Sequence, residues 1–359
     1  MSIRVLVVDD SALMRALLTQ KLEAEADITV VGTAADASEA RQLIKSLNPD
    51  VVTLDIEMPG MDGLSFLEKI MTLRPTPVII VSGATCEGAA ATARALQLGA
   101  VNCYAKSTAE RSLRDDDGGE LARLVREASK VRVATGAIGK SNGARPLGST
   151  QHIAASIPAQ SSSTSMMPEV IAIGASTGGV EALHTLLKNF PAHCPPTLVV
   201  QHVNACFSAA IAQALDKVAK PTVRLAHHDL RLTRGMVVLA PDNEQHLQIA
   251  RDGANGLRCV LEADAPMSGH RPSVDRLFHS AAKNAGINGL GILLTGMGQD
   301  GAEGLLAMAK AGARTIAQDE ASCVVFGMPR AAIALGAARQ VCPLGDIANS
   351  VFSTQGAPA

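Results

Sequence analysis

Carboxylates and a lysine stand at the ends of short apolar segments in the N-terminal third of the chain. Asp9 and Asp10 follow IRVLVV, Asp55 follows VVTL, and Ser82 and Lys106 end two later segments. Hard oxygen ligands suit Mg²⁺, and a carboxylate can attack a phosphoryl donor to form an aspartyl phosphate. Singly, these acidic residues would fit a helix cap or a loop. Together they indicate a magnesium and phosphoryl site, with a hydroxyl and an ammonium placed to contact the transferred group.

A second candidate site lies in the segment VIAIGASTGG, residues 170–179. Its GASTG fits the G-x-S-x-G pattern, which presents Ser176 on a turn between a strand and a helix N-terminus that favours negative charge. One alternative is that Ser176 is a plain helix cap. Another is a dinucleotide-binding turn, which needs G-x-G-x-x-G and an acidic residue at the end of the next strand. That strand ends instead in His202.

A nucleophilic serine needs a base and a group that orients the base. His202 follows the apolar segment TLVVQ, and Asp300 follows GLGILLTG within the loop GMGQDGAEG. Singly, His202 would be structural and Asp300 a helix cap. Three strand ends that offer Ser, His and Asp supply what a hydrolytic triad requires. The order along the chain differs from the Ser, Asp, His order of α/β-hydrolases, which indicates a separate hydrolase fold.

The residues of each candidate site can come together only if the strands that they follow end at the same edge of a sheet. Continuous apolar runs alternate with helically spaced segments over about the first 125 residues, which predicts a doubly wound parallel sheet. The predicted strands are 3–8, 28–32, 51–54, 78–81 and 101–104, and the predicted helices are 12–22, 38–47, 64–73 and 88–98.

The composition changes after this first domain, predicted over residues 1–127. The stretch 128–168 holds no acidic or aromatic residue and is rich in Ser, Ala and Gly, which predicts a flexible linker. Alternation then resumes and predicts a second α/β domain over 169–359, in which MVVLA and HLQIA form an antiparallel hairpin around PDNEQ. Its predicted strands are 170–174, 197–202, 290–295 and 314–318, and its predicted helices are 179–188, 208–218, 274–285 and 301–310.

The composition excludes several classes of protein. Lys and Arg number 32 against 34 Asp and Glu, and aromatic residues make up 2%, so a nucleic-acid binder is not expected. All nine histidines lie between His152 and His279, which assigns imidazole chemistry to the second half. The seven cysteines lack metal-site spacing, and no apolar stretch approaches the roughly 18 residues of a membrane span. We therefore expect a cytoplasmic protein without membrane insertion.

The first domain resembles the receiver domains of two-component response regulators. VLVVDDS, LDIEMPGMDGL and the strand ends at Ser82 and Lys106 occur in the order typical of receivers. The resemblance implies that Asp55 is phosphorylated by a sensor histidine kinase with Mg²⁺ as cofactor, and that Ser82 and Lys106 are switch residues. The metal ligands that it implies are Asp9, Asp10, Asp55 and the backbone carbonyl of Glu57.

Two positions depart from the receiver pattern. Receivers usually have a cis proline after the lysine, whereas Ser107 follows Lys106 here, and a non-proline cis bond costs about 3 kcal/mol. The usual aromatic switch position is Cys103, with Tyr104 one residue later. These departures concern the way in which phosphorylation is read out.

The second domain resembles the catalytic domain of chemotaxis protein-glutamate methylesterases, the CheB family. IGASTGG, VVQH, LAPDNEQH, GHRPSVD and LLTGMGQDGA occur in the family's order. The resemblance implies that Ser176 is the nucleophile, His202 the general base and Asp300 the residue that orients His202. The implied reaction hydrolyses glutamate γ-methyl esters and deamidates glutamines on the cytoplasmic helices of chemoreceptors, without a cofactor.

Further roles follow as expectations from this resemblance. Backbone N–H groups of Met297 and Thr177 would hold the oxyanion, with Met297 preferred. His270 and Arg271 would line the substrate cleft, while Ser273 would cap helix 274–285. Unphosphorylated, the receiver would dock over the Ser176 edge and block the receptor helix. Two other functions are weighed against this hydrolase: a non-enzymatic response regulator with a partner-binding output domain, and an NAD(P)-binding enzyme.

Overall fold

The computed structural model describes residues 2–58, 61–83, 85–106, 119–131, 167–241, 244–253 and 256–353. Within these ranges the chain forms two parallel sheets, each flanked by helices, and one two-stranded antiparallel ribbon. Most of the predicted linker, together with Ser107, lies outside the described residues.

The N-terminal domain is built on a five-stranded parallel sheet in the order β2-β1-β3-β4-β5. Its central strands are mainly apolar and largely buried, because helices cover both faces. The strands are β1 (Ile3–Val8), β2 (Ile28–Ala34), β3 (Val51–Asp55), β4 (Val78–Gly83) and β5 (Asn102–Lys106). The helices are α1 (Ala12–Glu23), α2 (Ala37–Leu47), α3 (Gly63–Leu73), α4 (Cys86–Gln97) and α5 (Glu120–Ala128).

The C-terminal domain contains a seven-stranded sheet in the order β14-β13-β12-β6-β7-β9-β8, parallel throughout. The strands of the domain, with the ribbon β10-β11, are β6 (Val170–Ala175), β7 (Thr197–Gln201), β8 (Thr222–Leu225), β9 (Met236–Leu239), β10 (His246–Asp252), β11 (Gly256–Glu262), β12 (Gly289–Leu293), β13 (Arg314–Gln318) and β14 (Gln340–Cys342). The helices are α6 (Gly179–Lys188), α7 (Ala205–Asp216), α8 (Val274–Ala285), α9 (Ala302–Lys310), α10 (Met328–Ala334) and α11 (Leu344–Phe352).

The predicted hairpin was wrong in its pairing. β9, which contains most of MVVLA, lies inside the large sheet between β7 and β8. β10, whose first five residues are HLQIA, pairs antiparallel with β11 instead. The difference arises because β9 extends the buried parallel sheet, which removes more apolar surface from water than an isolated hairpin would. An antiparallel hairpin is present, one strand further along the chain.

The two domains pack against each other through helices. α4 of the N-terminal domain lies against α6 and α7, the helices that follow β6 and β7. α5 packs on the other side of the interface, where Val324 and Val325 contact its apolar cluster. One continuous apolar cluster includes Cys103 on β5 and Cys206 on α7. The N-terminal domain therefore lies over the carboxyl edge of the C-terminal sheet.

Candidate active site

Ser176 lies in the turn between β6 and α6. Its backbone N–H donates to the carbonyl of Thr295 at 3.0 Å, which fixes the turn to the chain that follows β12. Gly178 has φ 74°, and a Cβ there would come within 2.5 Å of Val324, so a glycine is needed at this position. The turn thus holds Ser176 at the N-terminal end of α6, as the sequence pattern predicts.

His202 follows β7, the strand next to β6. Its backbone N–H donates to the carbonyl of Ala175 at 3.0 Å, so the turns that carry Ser176 and His202 are neighbours. His202 Nε2 lies 2.9 Å from Asp300 Oδ2, and its buried Nδ1 has no partner among the described residues. Relative to the serine-protease triad, the two ring nitrogens exchange roles. Nδ1 is therefore the ring nitrogen that remains available to a further partner.

Asp300 is almost fully buried at the N-terminus of α8. It accepts the Ser273 hydroxyl at 2.8 Å and the backbone N–H groups of Val274 and Asp275 at 2.8 and 3.0 Å. Burial acts to raise the pKa of Asp300, but the hydrogen bond and charge of His202, with these backbone donors, lower it to about 2. The site therefore holds an ionised Asp300 carboxylate that is hydrogen-bonded to His202.

Ser273 is a site residue that the sequence indicated only as a cap. It accepts the N–H of Arg276 as the cap of α8, and its own hydroxyl donates to Asp300. Its backbone N–H donates to Nδ1 of the fully buried His246 at 3.1 Å, while His246 Nε2 lies 3.0 Å from the Ala265 carbonyl. His246 thus supports the loop that holds the triad aspartate. A serine in GHRPSVD, directly before a helix, was the available signal.

His270 contributes a second imidazole beside the first. Its ring stacks on that of His202 with 4.1 Å between centroids and an interplanar angle of 7°. Burial, with the nearby His202, lowers the pKa of His270. The lowered pKa favours the neutral form of His270 beside His202. Arg271, the other residue expected to line the cleft, lies beside it.

The two expected oxyanion donors belong to chain segments next to Ser176. Thr177 follows it directly, and a Cβ on Gly296 would come within 2.7 Å of Ser176 Cβ, so the chain leading to Met297 passes directly beside Ser176. Among the described residues, no acceptor is found for the backbone N–H of Met297 or of Thr177. Both groups are therefore available to a ligand at this turn.

The N-terminal domain covers this site with α5. A cleft between the domains is lined by Glu120, Arg123 and Leu124 on one side and by Ser176, His202 and His270 on the other. The Thr177 hydroxyl donates to the buried Glu127 carboxylate on α5 at 3.3 Å, and Arg123 bonds the same carboxylate. The Ser176 turn thus lies between the two domains, with α5 directly against it.

The carboxylate cluster lies at the carboxyl edge of the N-terminal sheet. Lys106 Nζ lies 2.8 Å from both Asp9 Oδ2 and Asp55 Oδ2. Burial raises the pKa of Asp55 against the opposing effect of Lys106. Burial would lower the pKa of Lys106, but its bonds to the two carboxylates raise it. Carboxylate oxygens of Asp9, Asp10 and Asp55 lie within 4.8 Å of one another, so this donor set fits Mg²⁺.

The other predicted receiver residues lie around this cluster. The backbone N–H of Glu57 donates to Asp55 Oδ1 at 3.2 Å, which places residue 57 beside the carboxylate. Ser82 is buried, and its hydroxyl donates to the Gly88 carbonyl at 3.3 Å. Ser82 thus links the end of β4 to α4, the helix that contacts the C-terminal domain. Cys103 and Tyr104 are both buried in the domain cores.

The fold and these two sites define a class of protein. One parallel α/β domain carries a lysine-bridged carboxylate cluster, and the other carries Ser, His and Asp at adjacent strand ends. The class is a serine hydrolase joined to a phosphorylation-type receiver.

Comparison with known proteins identifies the family within this class. The sequence model of the CheB methylesterase matches residues 171–351, and that of the response regulator receiver domain matches residues 5–116. A protein-glutamate methylesterase/protein-glutamine glutaminase of Caulobacter vibrioides is 49% identical over 98% of this chain and 97% of its own length. One of Bordetella pertussis is 48% identical over 99% and 97%. The crystal structure of the Thermotoga maritima CheB methylesterase catalytic domain is 32% identical with a TM-score of 0.50, and the match covers 52% of this chain and 98% of that one.

The chain therefore belongs to the CheB methylesterase family and is an ester hydrolase with a response regulator receiver domain. Neither a non-enzymatic output domain nor an NAD(P)-binding enzyme is supported. Among the described residues, no helix is long and apolar enough to cross a membrane.

Proposed function

We propose that Ser176, His202 and Asp300 hydrolyse γ-methyl esters of protein glutamates and γ-amides of protein glutamines. The observation that carries this proposal is His202 itself: Nε2 is held by Asp300 at 2.9 Å, and the free Nδ1 belongs to the turn beside Ser176. The substrates are supported by the names of relatives that match almost the whole chain. Chemoreceptor cytoplasmic helices, as the substrate of chemotactic adaptation, are the proposed partner.

Acylation follows from this geometry. The Ser176 oxygen attacks the γ-carbonyl carbon while His202 Nδ1 takes the hydroxyl proton. The carbonyl oxygen becomes an oxyanion and accepts hydrogen bonds from the backbone N–H groups of Met297 and Thr177. Asp300, ionised throughout, stabilises the imidazolium. His202 then protonates the departing methoxide as methanol, or the departing amine as ammonia, and leaves a glutamyl ester on Ser176.

Deacylation repeats the same steps with water. His202 Nδ1 takes a proton from water, whose oxygen attacks the glutamyl ester, and the proton is returned to the Ser176 oxygen as the ester breaks. The product is a protein glutamate carboxylate. No group outside the chain and water is used, so we propose that this reaction has no cofactor.

In the receiver domain we propose Asp55 as the phosphoacceptor. A sensor histidine kinase supplies the phosphoryl group, and Asp9, Asp10, Asp55 and the Glu57 carbonyl hold Mg²⁺. Mg²⁺ when bound neutralises the carboxylates and the phosphoryl oxygens. Lys106, now bridging Asp9 and Asp55, and Ser82 would contact the phosphoryl group.

Gating follows from the way that α4 and α5 cover the Ser176 edge. In the docked arrangement, Glu127 on α5 bonds Thr177, and α4 packs on α6 and α7. Movement of Ser82 toward a phosphoryl group on Asp55 would pull on α4, because the Ser82 hydroxyl bonds the Gly88 carbonyl on that helix. Phosphorylation thereby shifts the population toward an undocked, open form.

We also propose that the protein acts in the cytoplasm and binds neither nucleic acid nor the membrane interior. The proposed domains are 1–127 and 169–359, joined by a flexible linker at 128–168. α5 extends one residue beyond the first of these boundaries, to Ala128.

The nucleophile is tested by Ser176→Ala in the full chain. Methanol release from a purified chemoreceptor cytoplasmic fragment carrying glutamate γ-methyl esters should fall to background. Phosphorylation of Asp55 by a small acyl phosphate should continue at the normal rate, which shows that the receiver remains folded. Retained methanol release in this variant would refute the assignment.

A further inference from the structure

Gln201 is the last residue of β7 and has a buried side chain that none of the steps above uses. It is paired with Ala175 at the end of β6, so the residues that follow the two strands are Ser176 and His202. The Gln201 amide therefore lies between the nucleophile and the base along the sheet edge.

The Gln201 amide nitrogen bonds both catalytic residues through their backbones. Nε2 donates to the carbonyl of Ser176 at 2.8 Å and to the carbonyl of His202 at 3.0 Å. Both amide hydrogens are thus used, one for each turn. A carboxamide rotated by 180° would place its oxygen against two carbonyl oxygens, so the two acceptors fix its orientation.

The other end of the amide is held by close packing. Oε1 is buried without a hydrogen-bond partner among the described residues, and a Cβ on Gly179 would come within 2.1 Å of it. Leaving an acceptor unpaired in the interior costs free energy. A hydrogen bond to Oε1 therefore cannot be the reason that a glutamine occupies this position. The two hydrogen bonds that Nε2 donates explain it.

From this geometry we infer that Gln201 is a positioning residue, a brace that sets the separation of the Ser176 hydroxyl and His202 Nδ1. The inference rests on the proposed roles of Ser176 and His202. Each of these residues stands on a separate turn, and the described hydrogen bonds include none between their side chains. Gln201 links the two turns directly. Errors of about 1 Å in such alignment can lower rates by about 100-fold.

Two substitutions in the full chain test the brace. Gln201→Met keeps the length of the side chain and removes both donors without adding charge. Gln201→Glu keeps the shape and places acceptors against the two carbonyls. The matched control is Gln213→Glu, the same chemical change at an exposed position on α7. Circular dichroism and thermal unfolding establish that each variant is folded, and Gln201→Met is the variant on which the conclusion depends if Gln201→Glu unfolds.

The substrate is the methyl-esterified receptor fragment, assayed with and without acetyl phosphate. We expect Gln201→Met to lower kcat between 10-fold and 100-fold with KM changed less than about twofold. The ratio of stimulated to basal rate should stay as in the unsubstituted chain, because the brace lies within the C-terminal domain. Inactivation by phenylmethylsulfonyl fluoride, which sulfonylates the serine oxygen and releases fluoride as the base takes the proton, should slow in parallel.

An unchanged kcat in folded Gln201→Met, or a rise in KM alone, would overturn the brace. Either result would leave the proposed hydrolase intact, since that depends on the loss of activity in Ser176→Ala. Conversely, if Ser176→Ala retains activity, the proposed function fails before Gln201 is considered. The control Gln213→Glu should match the unsubstituted chain in every assay.

Discussion

The ionised Asp300 illustrates how single residues are tuned by the backbone around them. Its carboxylate is almost fully buried, yet it accepts hydrogen bonds from the Ser273 hydroxyl and from the first two backbone N–H groups of α8, and it is also hydrogen-bonded to His202. The neighbouring Asp275 has its pKa raised by burial. Two nearby buried carboxylates therefore differ in pKa because His202 and two backbone N–H groups stabilise the ionised Asp300, whereas the charge of Asp300 adds to the effect of burial at Asp275.

This difference predicts a pH dependence of stability. The pKa of Asp300 is lowered in the folded protein from 3.8 to about 2, so its ionised form stabilises the fold above about pH 4. That contribution, on the order of 2 kcal/mol, is lost as the pH falls from 4 toward 2. Urea unfolding followed by circular dichroism should show the difference between the unsubstituted chain and Asp300→Asn shrinking over this interval. A difference that stays constant from pH 5 to pH 2 would contradict the assignment.

Ser273 supplies a second residue-level prediction. Ser273→Ala removes the hydroxyl that donates to Asp300 at 2.8 Å, and we expect kcat to fall about tenfold as the triad loosens. Loss of a helix cap alone costs about 1 kcal/mol of stability without affecting catalysis. Asp36→Ala, which removes the cap of α2 in the other domain, is the control. Equal kcat values in the two variants would show that Ser273 acts only as a helix cap.

At this scale, the sequence indicated the candidate site residues at strand ends but not the residues that form hydrogen bonds with them. Ser176, His202 and Asp300 could be singled out because each follows a recognisable apolar strand. Ser273 and Gln201 act through hydrogen bonds to residues that are 27 and 25 positions away in the chain. Such contacts depend on three-dimensional packing, and a serine or glutamine side chain carries no periodic signal that would reveal them.

At the level of elements, alternation of strands and helices predicted most of the two parallel sheets. Short apolar runs between helically spaced segments favour strands buried on both faces, and β1, β3 and β6 were predicted within a residue or two. The pairing of β9 could not be obtained in the same way, because adjacent strands in a parallel sheet are set by crossover connections. The short strand β8, with two exposed residues among four, lacks a strong apolar signal.

α5 is the element on which the docked arrangement can be tested. Glu127→Ala removes the acceptor of the Thr177 hydroxyl, and hydrogen bonds to charged groups contribute about 1.5–3 kcal/mol. We expect the basal esterase rate of the unphosphorylated chain to rise several-fold, with the phosphorylated rate unchanged. Glu68→Ala, at an exposed position on α3, is the matched control. A basal rate that does not rise would show that α5 does not hold the closed form.

At the scale of the whole molecule, the two domains have their functional edges coupled through helices. The phosphoryl site and the hydrolytic site each lie at the carboxyl ends of parallel strands. Ser82 is bonded to α4, and α4 packs on α6 and α7 beside Ser176 and His202. The histidine-free N-terminal domain thus needs no catalytic imidazole if, as proposed, it regulates a site that belongs to the other domain.

The central claim, a hydrolase gated by phosphorylation of its own receiver, is tested most directly by one rate comparison. Methanol release from the methyl-esterified receptor fragment is measured for the full chain with and without acetyl phosphate and Mg²⁺, and again for Asp55→Asn. We predict that the phosphodonor stimulates the unsubstituted chain at least about tenfold. A tenfold change corresponds to a shift of about 1.4 kcal/mol in the free energy of opening. Asp55→Asn should keep the basal rate and lose the stimulation. Equal rates with and without the phosphodonor, in a chain shown to be phosphorylated on Asp55, would contradict the account.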